Sequence, residues 1–395
     1  MKQGLLLFCV FFLASCAGPT AMPALPGSLS EHTQARAGLP SVKFAHIFSF
    51  KGSNGKEPAA ALIDVSGTLY GTTYAGGAHD EGTAFQLAAN GSQTVLHSFT
   101  GGKDGALPIA PLANVGGAFY GTTANGGGPS GEGVVFKISS SGTESVLHHF
   151  GLPGDGANPY AGVLDVHGTL FGTTAGGGTN SEGTVFTISS SGTESVLYSF
   201  NPGKGDGATP LAGLIDSAGA LYGTTAYGGR NCGTVGCGTV YKIDSGGTET
   251  VLYKFKGGTG DGDTPSSAVV DMNGTFYGTT AYGGKYNQGT VFKVTSSGTE
   301  RVLHSFQSGS DGAVPNGLVA RNGTLYGTTS RGGSSNDGTI FSVTTAGKEV
   351  VLYTFKGGAD GATPRAGLVS AGGTLYGTTA KGGTGKAGTV FSVTP

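Results

Sequence analysis

Tyr70-Gly71-Thr72-Thr73 is the first copy of a motif, YGTT or once FGTT, whose glycine returns at Gly71, Gly121, Gly172, Gly223, Gly278, Gly327 and Gly377. The spacings are 50, 51, 51, 55, 49 and 50 residues. A fixed period of this size marks a propeller or a solenoid, in which each unit buries its apolar face only against its neighbours. Around the fourth copy, residues 211–216 (LAGLID) read as a short buried strand and Ser217-Ala218-Gly219 as a turn. Residues 220–225 (ALYGTT), 238–243 (GTVYKI) and 248–255 (TETVLYKF) read as three further strands. We call the four a, b, c and d. Four strands per fifty residues make a propeller blade.

The two ends decide between ring and solenoid. After the seventh YGTT the chain reaches residues 388–393 (GTVFSV) and stops at Pro395, so its last repeat has a, b and c but no d. Residues 44–50 (FAHIFSF) precede the first strand a and match the VLHSF pattern of strand d. The expectation is therefore an all-β, seven-bladed β-propeller over residues 42–395, closed by strand 44–50 completing the last blade. A solenoid would want polar capping repeats instead.

Composition agrees with many short strands and tight turns. Of 395 residues 78 are Gly without a triplet period and 12% are charged, which excludes collagen and a charge-swollen disordered chain. The net charge of -2 and the absence of a Lys/Arg run remove the basis for binding nucleic acid. The ring is expected to be a monomer.

Met1, Lys2 and the apolar run 5–14 read as a signal peptide over residues 1–15, too short to span a bilayer as a mature helix. The run ends Leu13-Ala14-Ser15-Cys16, which resembles a lipobox. The resemblance implies cleavage before Cys16 and its lipidation, enough acyl chain for stable anchoring. A plain signal peptide with a chance cysteine is the other reading. Ala17 is not the retaining aspartate, which implies a lipoprotein of the outer membrane in a host with two membranes. Residues 16–41, rich in Ala, Pro, Gly, Ser and Thr, read as a flexible tether.

The full repeat, P-x-x-G-L-x-D-x-x-G-x-L-Y-G-T-T followed by G-T-V-F-x-V and G-T-E-x-V-L-Y-x-F, resembles the GloVer tandem repeat of surface proteins with a variable, choice-of-anchor device. The resemblance covers about residues 44–393 and implies no established activity. The a/b portion is also similar to NHL-type and gluconolactonase-like propellers, a likeness of fold alone.

Candidate sites follow from what departs from the repeat. With strand a innermost, the d-to-a and b-to-c loops share one face. Most b-to-c loops run 11 or 12 residues from the YGTT glycine to the glycine of GTV, but the fourth runs from Gly223 to Gly238 and holds Cys232 and Cys237. In an exported chain this pair predicts a disulfide rather than a metal or redox site. Tyr74, Tyr227 and Tyr282 are read at one position of three b-to-c loops, near Arg230, Lys285 and Tyr286. These six are the candidate ligand-binding residues, able to stack on sugar rings or anchor a protein; the structural alternative is that each tyrosine packs across its own loop.

Asp104, Asp155, Asp206, Asp261, Asp311 and Asp360 recur before glycine in the d-to-a loop and read as turn formers, not calcium ligands. His46, His97, His148 and His304 are read as alternating with Tyr198, Tyr253 and Tyr353 at one position of strand d, which argues against a catalytic histidine. No catalytic arrangement, cofactor or metal is called for. The expected function is a lipid-anchored cell-envelope binding scaffold for a polysaccharide or an envelope protein. The alternatives are a hydrolase or lyase at the central channel, which would show unlike polar residues clustered at one mouth, and a purely structural spacer.

Overall fold

The computed structural model describes residues 32–34, 42–139, 141–189, 192–230 and 232–395. The signal peptide, Cys16 and most of the tether lie outside them. Apart from one short 3-10 turn at Pro202–Lys204, the regular structure of the described residues is all β, arranged as the seven-bladed propeller expected. In the fourth blade the order is Ile215–Ser217, Ala220–Thr225, Thr239–Ile243 and Glu249–Lys254, each pair antiparallel. The hairpin joining a to b carries Ala218 and Gly219 both at positive φ, the two-residue turn whose twist matches the strands.

Closure is as the strand count requires. Val42–Ser49 pairs antiparallel with Thr389–Thr394, from Lys43 opposite Thr394 to Ser49 opposite Thr389. Within the stretch read as tether, His32–Gln34 adds a fifth, outer strand to the same sheet.

Three sets of contacts, each repeated seven times, hold blade to blade. The first threonine of every YGTT donates its hydroxyl to a carbonyl at the start of the next blade's strand a, from Thr72 to Ala110 round to Thr378 to Ala60, at 2.8 to 3.4 Å. The residue before each strand-a proline donates its N–H backward to the preceding blade, as Glu57 to Ala387 and Thr209 to Glu182, at 2.8 to 3.1 Å. These seven residues, Glu57, Leu107, Asn158, Thr209, Thr264, Val314 and Thr363, all have φ between 54° and 59°. A left-handed threonine or valine is strained, and the inter-blade bond is what holds it there. Finally, the phenylalanine ending each strand d packs edge-on against the strand-c aromatic of the next blade, Phe50 on Phe85 through Phe355 on Phe391, with centroids 4.9 to 5.1 Å apart.

Two expectations change here. Strand a was read over 211–216, but its regular pairing is confined to Ile215–Ser217. The preceding residues border the channel, and the carbonyl of Ala212 is taken by Thr173 of the neighbouring blade instead of by a ladder. The YGTT glycine also has a different reason from close backbone approach. A Cβ at Gly377 would lie 2.5 Å from Phe391 Cζ and 2.7 Å from Leu368 Cδ2, and the other six meet the equivalent ring. The glycine seats the aromatic side chain directly across the strand pair.

In the fourth blade that ring is Tyr241, fully buried, with a hydroxyl that makes no hydrogen bond. Its six counterparts are phenylalanines. Tyr241→Phe is expected to stabilise the protein by about 1 kcal/mol by removing an unsatisfied buried donor. An unchanged or lower urea midpoint would contradict this.

Candidate functional site

The repeated ionisable groups resolve into structural ones. Each loop aspartate accepts from the His or Tyr of its own strand d: His97 to Asp104 at 3.1 Å, Tyr198 to Asp206 at 2.7 Å, Tyr253 to Asp261 at 2.8 Å. The same carboxylates accept backbone N–H groups of the turn, as from Asn201 and Lys256. Imidazole and phenol interchange because either donates one hydrogen bond there. His46 does not belong to this set. It pairs with Phe391 as Val95 pairs with Phe85, and Phe48 occupies the His/Tyr place, one bulge along the strand.

A second carboxyl from the next blade reaches five of the six aspartates, Asp104, Asp155, Asp206, Asp261 and Asp311. Burial first, and the neighbouring aspartate second, raise Glu144 to about 7, Glu249 to about 8 and Glu300 to about 7, and raise Glu194 as well. Glu249 faces Asp206 and Lys254, and Glu300 faces Asp261, Tyr253 and Lys256. These glutamates have folded values above the unfolded one, so their contribution to stability is full in acid and lost as pH rises through about 7 to 8. We expect the melting temperature to fall by about 4 °C or more between pH 5.5 and 8.5. Glu249→Gln should flatten that slope; a slope that is flat in the wild type, or unchanged in the variant, would refute the assignment.

At the ring seam the pattern is rewritten without charge. Asn54 stands near the position of the loop aspartate and donates from Nδ2 to Gln93 Oε1 at 3.3 Å, where blades two to six have glutamate. One interface earlier, Phe44 takes the glutamate place and stacks on Tyr353 with centroids 3.8 Å apart.

Among the described residues three groups bring together donors suited to a metal: Cys232, Cys237 and Asp263; His148, Asp155 and Glu194; and His304, Asp311 and Glu349. The first is occupied by the Cys232–Cys237 disulfide expected from the sequence. The other two are members of the inter-blade series just described, where tyrosine replaces the histidine in sister blades.

The loop face carries what the repeat does not explain. Five large apolar side chains are exposed among the described residues: Leu152, Tyr227, Val235, Tyr282 and Tyr286. Four of them sit on the b-to-c loops of the fourth and fifth blades, which are neighbours in the ring. Tyr227 and Tyr282 are equivalent, each pairing with the d-to-a loop of its own blade, opposite Ala208 and Asp263. Lys285 Nζ lies 5.1 Å from the Tyr286 ring centroid, and Arg230 stands at a left-handed turn three residues after Tyr227. The disulfide anchors the long fourth loop beside the strand-d exit, where Gly257 leaves room for Cys237.

Tyr74 belongs elsewhere. The residue that bridges the d-to-a loop in the first blade is Ala75, opposite Lys56, so Tyr74 is one position early and its side chain takes the opposite face. It lies near enough to Tyr160 to help burial raise that phenol's pKa.

Tyr160 lines the central channel, a cavity of about 400 Å³ to which the strand-a start of every blade contributes. Sequence reasoning passed over this ring because its members look like strand residues. The residues just after the seven prolines are Ala59, Ile109, Tyr160, Leu211, Ser266, Asn316 and Arg365. Arg365 pairs with Glu57 across the seam at 3.3 Å. Asn316 Nδ2 donates to Thr328 Oγ1 and to Pro364 O, and Ser330 donates to Asn316 Oδ1. A further cavity of about 440 Å³ opens on the opposite face between the first and last blades, lined by Ile47, Leu69, Leu87 and Tyr376 among others.

Comparison with known proteins places this geometry. The family model described as the Gloeobacter/Verrucomicrobia repeat matches residues 36–236 and 231–395. No curated protein matches the chain in sequence. Among solved structures, a puromycin hydrolase S511A mutant is similar at 11% identity and a TM-score of 0.53, over 83% of this chain and 50% of that one. The present chain thus spans half the length of that enzyme, and the likeness is one of fold. A protein described as a gluconolactonase aligns at 14% identity and a TM-score of 0.44, over 74% of this chain and 89% of its own.

Proposed function

We propose, from the premise that this chain belongs to the Gloeobacter/Verrucomicrobia repeat family, that it is a cell-envelope scaffold that binds polysaccharide through the b-to-c loops of its fourth and fifth blades. The observation that carries the reading is the confinement, among the described residues, of four of the five exposed large apolar side chains to those two adjacent loops. Tyrosine presents a rigid apolar face with a polar tip, the surface on which a pyranose ring stacks while its hydroxyls stay hydrated. Arg230 and Lys285 add donors beside that face. The loops project from a ring braced at every blade boundary, so the rings are presented with little ordering cost on binding.

The address is part of the proposal. A leader ending at Ser15 and a lipidated Cys16 would hold the propeller at the envelope by its N-terminal side. Metabolic labelling with an alkyne fatty acid should mark the wild type and not Cys16→Ser; equal labelling would remove the anchor.

Retention of the full chain on immobilised polysaccharides and on a glycan array tests the binding. Wild type should be retained, and Tyr227→Ala/Tyr282→Ala should weaken retention about tenfold or more. Equal retention of the double variant would move the site off these loops. Capture of an envelope protein with no glycan retained would replace the ligand class.

A further inference from the structure

We propose that the channel mouth on the loop face is a second binding site, shaped to take one neutral pyranose unit. It does not depend on the tyrosines of the outer loops. The sevenfold repeat lets the strand-a starts be compared blade by blade. In six blades the residue whose carbonyl is gripped by the threonine of the blade before is the second after the strand-a proline and is small, as at Ala60, Ala161 and Ser267; in the sixth blade, one residue shorter here, it is Asn316. In those six blades the first residue is free of that bond; it lines the channel, as Asn316 does in the sixth.

Its identities are nevertheless sorted round the ring. Blades one to four present Ala59, Ile109, Tyr160 and Leu211, and blades five to seven present Ser266, Asn316 and Arg365. The mouth therefore has an apolar, aromatic arc facing a polar one. The threonine bond behind the mouth recurs in every blade and gives no reason for this division.

The polar arc is also pre-set. Asn316 is held by three hydrogen bonds and Arg365 by Glu57, both half-buried. Fixed side chains of this kind offer directional donors and acceptors without ordering cost. The Arg365 and Glu57 charges offset one another, which suits an uncharged ligand rich in hydroxyls. Tyr160, with Tyr74 near it, supplies the face on which the apolar side of a sugar ring rests. The cavity of about 400 Å³ lies within the range of about 300 to 1,000 Å³ for small-ligand sites.

The test is saturation-transfer NMR and calorimetry on the full chain with methyl glycosides of glucose, galactose, mannose and N-acetylglucosamine as probes. At least one should bind. Tyr160→Ala and Asn316→Ala should each weaken it about tenfold, and Tyr160→Phe should not. Because Asn316→Ala also loosens a strand, Ala59→Trp is the second variant: it fills the mouth from the apolar side and should abolish binding with the melting temperature kept. Binding of no glycoside, or equal binding by Tyr160→Ala and Ala59→Trp, would overturn the proposal. Tyr227→Ala/Tyr282→Ala should leave glycoside binding within about twofold, so failure of the outer-loop site and failure of this one are read separately.

Discussion

Deleting residues 1–50 is expected to abolish cooperative folding, whereas deleting residues 1–41 leaves the melting temperature unchanged within a few degrees. The nine residues between the two cuts are the whole of the last blade's strand d and its terminal phenylalanine. Their loss strips the partner from Thr389–Thr394 and leaves a long, apolar edge open to other chains. Phe44 and Phe50, 5% and 0% exposed, leave the core with them, which forfeits about 2 to 3 kcal/mol each from burial. The edge-on contact of Phe50 with Phe85 is also lost, the only one of the seven such contacts made by the N-terminal segment. Few single domains have more than about 5 to 15 kcal/mol to lose. Size exclusion should show the shorter chain as aggregate or mixed oligomers; a monomer melting like the parent would mean that the N-terminal strand is not part of the closed ring. Adding a synthetic peptide of residues 42–50 should restore part of the melting transition.

The second large effect is expected at the motif glycine. Gly377→Ala places a methyl group 2.5 Å from Phe391 Cζ and 2.7 Å from Leu368 Cδ2, both buried in one core cluster. Overpacking of this kind costs about 1 to 3 kcal/mol, and the blade-to-blade edge-on contact of Phe355 with Phe391 argues for the upper end. The partner change Phe391→Leu frees the space, so in a double-mutant cycle the second substitution should be less harmful on the Gly377→Ala background than alone. Gly213→Ala is the control: nothing lies within 4 Å of the added methyl, and its effect should stay within about 0.5 kcal/mol. Equal costs at Gly213 and Gly377 would show that the glycine is kept for backbone freedom and not to seat the ring.

The architecture was open to reading because its evidence is arithmetic: seven motifs, and a last repeat short of the one strand that the N-terminus holds in excess. Chain order alone carries that. What escaped depends on register. Tyr74 is one residue out of step with Tyr227 and Tyr282, which turns its side chain to the other face of the strand, and His46 is two residues and a bulge from the His/Tyr place; the pairing of Ala75 with Lys56 and of His46 with Phe391 makes both plain. The disulfide was legible because two cysteines in one extended loop have few partners to choose from. The exposed cluster around Tyr227 and Tyr282 was half legible, since the residues were visible but their adjacency comes from the ring. The channel mouth was not legible, because Tyr160, Asn316 and Arg365 lie 156 and 49 residues apart in the chain and meet only when the circle closes. The replacement of the acid pair by Asn54 and Gln93 at the seam, like the offsets of Tyr74 and His46, is a feature that a repeat-by-repeat comparison of the sequence exposes.

That the N-terminal strand finishes the blade begun by the C-terminus means that the unit copied in the gene is out of phase with the unit seen in space. Duplicating or deleting one genetic unit of about fifty residues, at any boundary, leaves the two ends as complementary as before. A lineage can therefore change the number of blades in a single recombination event without producing an orphan strand, and the geometric strain of a wider or narrower circle, not the loss of pairing, becomes the barrier.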